Sequence, residues 1–202
     1  VRTTDGGRTW HAGQIPGLED RELRDIHLFG PGQALVMVVA SPAELWRSDD
    51  AGGHWRLVHR DDRPEMFLDS MDFWPNGRGL CFGDPVSGAF TMWVSDETGE
   101  VWSSVPAQAL PVPHPEEAGF AASGTLVRCL PGGRALVATG GGAARLPETL
   151  HYGVPRTAHQ PPTPQGASPR APPPRGVGPG GDPTLGRGAP AAPARTPRAG
   201  AP

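Results

Sequence analysis

Thr3-Thr4-Asp5-Gly6-Gly7-Arg8-Thr9-Trp10 decides how this chain is read, because the sequence returns to it twice. The second copy is Ser48-Asp49-Asp50-Ala51-Gly52-Gly53-His54-Trp55 and the third is Ser95-Asp96-Glu97-Thr98-Gly99-Glu100-Val101-Trp102. All three fit Ser/Thr-x-Asp/Glu-x-Gly-x-x-Trp. Asp5 and Asp50 are 45 residues apart, and Asp50 and Glu97 are 47 apart. Self-similarity at a nearly fixed period of this length marks a repeat architecture.

Each copy reads as a tight turn between two strands. The carboxylates of Asp5, Asp50 and Glu97 are placed to accept hydrogen bonds from backbone N–H groups just ahead of them, as in an Asx turn. Gly7, Gly52 and Gly99 supply a backbone with positive φ at no steric cost. Trp10, Trp55 and Trp102 open the next strand and are expected to bury their rings against the neighbouring turn. A carboxylate site for a cation is the functional alternative. Repetition at constant spacing favours a hairpin clasp, because an active site is rarely built three times. The third copy, with Glu97 and no second glycine, predicts a looser turn.

The intervening sequence completes a four-strand plan. Arg24 to Phe29 alternates in character and is broken by Gly30-Pro31-Gly32. Ala34 to Val39 is a continuous apolar run, suited to a strand buried on both faces. Glu44 to Arg47 enters the second octet, and Trp55 to His59 leaves it. The plan recurs in Phe67–Trp74, Gly79–Phe82, Ala89–Val94 and Val101–Val105. A third unit begins with Thr125–Leu130 and Arg134–Ala138. The fold class predicted is all-β: part of a β-propeller of four-stranded antiparallel blades over residues 1–146, about three blades, followed by a tail at 147–202.

The octets resemble the Asp-box, or BNR repeat, of β-propellers. Further segments narrow the likeness: Phe82-Gly83-Asp84-Pro85, Glu117-Ala118-Gly119-Phe120-Ala121-Ala122-Ser123-Gly124-Thr125, and Ala138-Thr139-Gly140-Gly141-Gly142-Ala143-Ala144-Arg145. Together they resemble the bacterial relatives of the photosystem II stability/assembly factor family, many of them loosely labelled oxidoreductases. That resemblance covers residues 1 to about 146. It implies a propeller, usually exported to the periplasm or beyond, with no established reaction in the bacterial branch and with a protein or cofactor-bearing partner. The family's partner contacts involve basic surface.

Composition separates the two regions. Residues 1–146 hold 12 Arg and 19 acidic residues, while 147–202 hold 6 Arg with only Glu148 and Asp182. The acidic repeat region argues against a nucleic-acid partner, which needs a basic stripe. Fifteen of the 26 Pro fall after residue 146, and such a segment has too few large apolar groups to offset its ordering entropy. A disordered tail is expected there. An out-of-frame reading of GC-rich DNA accounts for it, and a natural linker is the alternative. The chain starts at Val1 inside a repeat, as a fragment of a longer protein would. No run approaches the roughly 18 apolar residues of a membrane helix. Cys81 and Cys129 lie in apolar runs and read as free thiols, with a disulfide left open.

Strand alternation puts the octets and the first hairpin turns on one edge of the blades. The other connections then share the opposite rim. That collects Asp61-Asp62-Arg63, Gly83-Asp84-Pro85, His114, Glu116, Glu117 and Arg145, with Asp84, Glu117 and Arg145 as the candidate binding residues. The long connection 106–122 supports a functional rim. Gly140-Gly141-Gly142 could form a backbone nest for an anion or a flexible turn. A non-enzymatic binding module that needs no cofactor ranks first. A sialidase-type glycosidase ranks second, since that chemistry needs a Tyr nucleophile activated by Glu and the one Tyr here is Tyr152, in the tail. A redox enzyme ranks third, since no dinucleotide-binding glycine fingerprint follows a strand.

Overall fold

The computed structural model describes residues 1–120 and 124–149. Every described residue belongs to one compact unit, which begins at Val1. The tail expected to be disordered lies outside the described residues from residue 150 onward.

Strands β1 (Leu23–Gly30), β2 (Gln33–Val38), β3 (Ala43–Ser48) and β4 (Arg56–Asp61) form one antiparallel sheet in sequence order. Strands β5 (Leu68–Phe73), β6 (Gly79–Val86), β7 (Ala89–Ser95) and β8 (Trp102–Ser104) form a second on the same plan. The next strands are β9 (Glu117–Ala118), β10 (Val127–Leu130), β11 (Arg134–Val137), β12 (Gly140–Gly141) and β13 (Glu148–Thr149). They give a three-stranded sheet β10-β11-β13 and a separate pair β12-β9. No α-helix occurs among the described residues. These are consecutive blades of part of a β-propeller, built on meandering four-stranded sheets. Strand pairing continues through Thr149, past the compositional boundary at 146.

Packing explains the apolar run in β2. One set of its alternating side chains, Leu35 and Met37, joins Leu45 of β3 and packs on Leu68, Met71 and Trp93 of the second blade. The other set, Val36 and Val38, packs under Ile15 and Leu18 of the preceding segment. The second blade repeats this arrangement: Leu80, Phe82, Phe90 and Met92 pack on Val127, Ala135 and Val137 of the third sheet. A sheet covered on both faces needs apolar residues at successive positions. Each fully buried large side chain contributes about 1.5–3 kcal/mol.

Two polar contacts repeat from blade to blade. Arg2, just before the first octet, donates from Nη1 to the carbonyl of Ala51 in the second octet at 2.7 Å. Arg47, just before the second octet, donates to the carbonyl of Thr98 in the third at 2.6 Å. Ala51 and Thr98 hold the same position in their octets. The second contact joins the first strands of neighbouring blades. Asp25 of β1 accepts from the Met71 N–H at 2.9 Å, and Asp72 of β5 accepts from the Cys129 N–H at 2.8 Å. Each of these carboxylates also accepts from the N–H of the residue after it, Ile26 or Phe73.

The octets turn as follows. Asp5 accepts from the Arg8 and Thr9 N–H groups and from both neighbouring hydroxyls, while Thr3 Oγ1 accepts from Gly7 N–H. Asp50 accepts from His54 N–H, and Ser48 Oγ accepts from Gly52 N–H. The third turn differs from the sequence expectation. Its amides, those of Thr98, Glu100 and Val101, point to Asp96 rather than Glu97. The shorter side chain, one residue earlier, reaches the turn amides without the extra methylene. Trp102 and Trp10 each donate from Nε1 to the carbonyl of the octet glycine, Gly99 and Gly7. Trp102 is 7% exposed, but Trp10 is 59% exposed. Its segment is held by the Arg2–His11 bridge and its ring lies on its own turn, at Gly7.

Candidate functional site

The connection after β8 runs through a short 3-10 turn at Ala107–Ala109 and reaches β9, whose Glu117 and Ala118 pair with Gly141 and Gly140 of β12. The backbones approach closely there. A Cβ on Gly141 would lie 2.2 Å from the Glu116 carbonyl oxygen, and one on Gly142 would lie 1.9 Å from that of Pro115. The Gly142 N–H donates to the Glu116 carbonyl. The glycine run therefore serves close backbone packing, and the anion nest considered from the sequence is not formed by this N–H.

Glu117 sits at the centre of the site, 3% exposed. Its Oε1 accepts from Thr139 Oγ1 at 2.5 Å and from Arg145 Nε at 2.7 Å. Its Oε2 accepts from Arg145 Nη2 at 2.5 Å and from the His114 N–H at 2.8 Å. Arg145 Nη2 also donates to the Val112 carbonyl. Burial alone would push this carboxyl up. The two-pronged Arg145 contact, with Thr139 and His114, outweighs burial and holds it below its ordinary value. The pair ties β9, the segment before it and the irregular segment following β12 into one frame.

Asp84 is placed by a bulge. The sequence suggested a loop for Gly83-Asp84-Pro85, but the structure puts all three inside β6. Gly83 pairs with Thr91 and Pro85 with Phe90, so Asp84 is the additional residue. Pro85 lacks an N–H and is tolerated at such an irregularity. Gly83 allows the close approach, since a Cβ there would lie 2.4 Å from the Phe67 carbonyl oxygen. Asp84 Oδ1 accepts from the Gly119 N–H at 2.8 Å. Burial pushes the Asp84 carboxyl up, against the Gly119 and Asp69 hydrogen bonds that favour ionisation.

The three candidate residues thus meet on one side of the fold, with different duties. Asp84 and Glu117 line an open groove of about 560 Å³ with Pro85, Gly88, Pro113 and His114. Pro115, Glu116 and Ala118 complete it. Arg145 is not in its lining and is paired with Glu117. Across the β6–β7 turn, Asp61 and Arg63 form a two-pronged ion pair and line a second groove. His114 and Glu116 are exposed.

The carboxylates of Asp5, Asp50 and Asp96 are occupied by their own turns. Hydrogen bonds from the Thr9 N–H and hydroxyl hold Asp5 down to about 2, and those from His54 lower Asp50. No group of three or more His, Cys, Asp or Glu suited to a metal ion occurs among the described residues. Both cysteines are free, and burial raises both thiols. Tyr152 lies outside the described residues. Among the described residues no helix is long and apolar enough to cross a membrane.

Sequence reasoning missed Arg47, Asp25 and Asp72. Their signal was present: Arg precedes the first two octets, and an Asp followed by a large apolar residue recurs in Asp25-Ile26 and Asp72-Phe73.

No family model matches the chain, and no curated protein matches it. Among solved structures the chain is similar to one described as YCF48 bound to D1 peptide, at 20% identity and a TM-score of 0.45. The similarity covers 68% of this chain and 42% of that one, so the chain spans less than half of that structure's length.

Proposed function

We propose that residues 1–146 act as a non-enzymatic, assembly-factor-like binding module, with a protein partner held at the rim that carries Asp84, Glu117 and Arg145. The observation supporting this reading is the groove between the β6–β7 turn and residues 113–118. Its floor is fixed by the Glu117–Arg145 pair and the Asp84–Gly119 bond, while Glu116 and His114 stand exposed at its mouth. A prefixed concave surface with a few polar groups is the usual form of a binding site. In this reading Glu117 and Arg145 shape the groove, and Glu116 and Asp84 meet the partner.

The test is affinity capture with the full chain and with Glu116→Arg, which reverses charge at the mouth without touching the buried pair. A protein retained by the wild type, lost by the variant, and rebinding as a purified component supports the reading. An equal yield of that protein from both baits, with equal melting temperatures, refutes the site.

A further inference from the structure

The two complete blades differ at their outer edge. In the first, β4 pairs along β3 from Ala43 to Arg47. In the second, β8 is only three residues long and pairs with Trp93, Val94 and Ser95 of β7. The chain then adds one hydrogen bond, from the Val105 N–H to the Met92 carbonyl, and leaves through Pro106 into the 3-10 turn. Among the described residues no strand pairs with Ala89, Phe90 or Thr91 on this side.

The backbone direction of that stretch follows from alternation. The Met92 carbonyl faces the outer edge, since it accepts from Val105. Two residues earlier, Phe90 must face the same way. Its partner on the inner side is Pro85, which has no N–H to give, so the Phe90 pair is the one without ladder bonds to β6. The place of the missing strand is a groove of about 410 Å³, lined by Ala89, Phe90, Thr91, Ser104, Val105 and Ala107 among others. Asp61 and Arg63, already paired to each other, also line it. A strand position held by chain in one blade and by a groove in the next is the setting for strand addition.

We propose that the outer edge of β7 at Ala89–Thr91 takes an extended peptide segment of another protein as an added antiparallel strand. The main-chain groups of Phe90 supply the recognition. The stretch has room for three to four residues at about 3.3 Å each. This site is separate from the Asp84–Glu116 groove and does not depend on it.

The experiment uses the uniformly labelled full chain and a capped hexapeptide of alternating valine and threonine. Amide exchange is followed by nuclear magnetic resonance, with and without peptide. The Phe90 amide exchanges faster than that of Val94 in the free protein and slows by about tenfold or more with saturating peptide. The same peptide, N-methylated on every residue so that neither edge can donate, gives no slowing. Ala107→Trp, which fills the groove from an exposed position, weakens peptide binding by about tenfold with an unchanged melting temperature. No slowing at millimolar peptide overturns the proposal, as does equal binding by the N-methylated peptide. Slow Phe90 exchange in the free protein also overturns it. If that protection comes with a doubled mass, a second copy of the chain holds the edge instead.

Discussion

Replacing Arg47 by Met keeps the aliphatic stem and removes the guanidinium that joins the second and third octets. That group donates to the Thr98 carbonyl at 2.6 Å, lies over the Phe29 ring at 4.6 Å, and pairs with Asp49 and Glu100. Its side chain is 5% exposed, whereas the two carboxylates are each more than 40% exposed. A hydrogen bond from a charged donor contributes about 1.5–3 kcal/mol. The cation–π contact adds about 0.5–2 kcal/mol. The half-exposed ion pairs add about 0–1 kcal/mol, and the carboxylates they release keep their contacts with Arg56. Contributions through one side chain are not additive, so the expected loss is about 2–4 kcal/mol. A domain of this size loses ~2–4 °C of Tm per kcal/mol, which places the shift at roughly 4–16 °C. Arg2→Met is the internal control. It breaks the equivalent contact to Ala51 at an exposed position, and less than about 1 kcal/mol is expected. Urea titration of both variants, followed by tryptophan fluorescence, measures the difference. An Arg47→Met cost within about 0.5 kcal/mol of wild type would show that the buried guanidinium does not hold the two octets together, as would a cost equal to that of Arg2→Met.

Gly83→Ala sets a methyl against the Phe67 carbonyl and should lose about 1–3 kcal/mol in the same titration, where an ordinary strand glycine would gain from the change. Asp96→Ala removes the acceptor of three turn amides and should cost about 1–2 kcal/mol, while Glu97→Ala stays within about 0.5 kcal/mol; the reverse order contradicts the geometry of the third turn. Glu117 has a folded-state value below its ordinary 4.5, so its stabilisation is present above that pH and is lost as pH falls through the lowered value. Glu117→Gln should therefore flatten the acid limb of the stability–pH curve, and an unchanged limb would show that the Arg145 pair contributes nothing there.

The fold was legible because its strongest signals are local and repeated. Asp5, Asp50 and the three tryptophans mark turns whose chemistry lies within eight residues, and the run Ala34–Val39 announces a sheet covered on both faces. What the sequence concealed is contact between units. Arg47 reaches a carbonyl 51 residues away, and Asp72 reaches an amide 57 residues away. Neither target is a side chain, so no residue type at the far end advertises the bond. Glu97 misled because an octet frame fixes position but not reach, and Asp96 beside it has the shorter arm. At the rim, alternation brought Asp84, Glu117 and Arg145 to one side. It could not foretell that Arg145 is spent on Glu117, or that Asp84 sits on a bulge within a strand rather than in a loop. The shortened β8 was hidden too, because Val101–Val105 reads as a strand throughout and only Trp102–Ser104 forms one.

Successive blades lock through their first strands, each Asp reaching the amide of the next blade. The Met71 amide measures this directly, because its acceptor is Asp25, 46 residues earlier. Native-state hydrogen exchange should find the Met71 amide protected in the wild-type chain. In Asp25→Ala it should be about tenfold or more faster. Amides of Phe82 and Met92 inside the second blade should keep their rates. Free exchange of Met71 in the wild type, or a rate unchanged by Asp25→Ala, would contradict the packing of the blades described above.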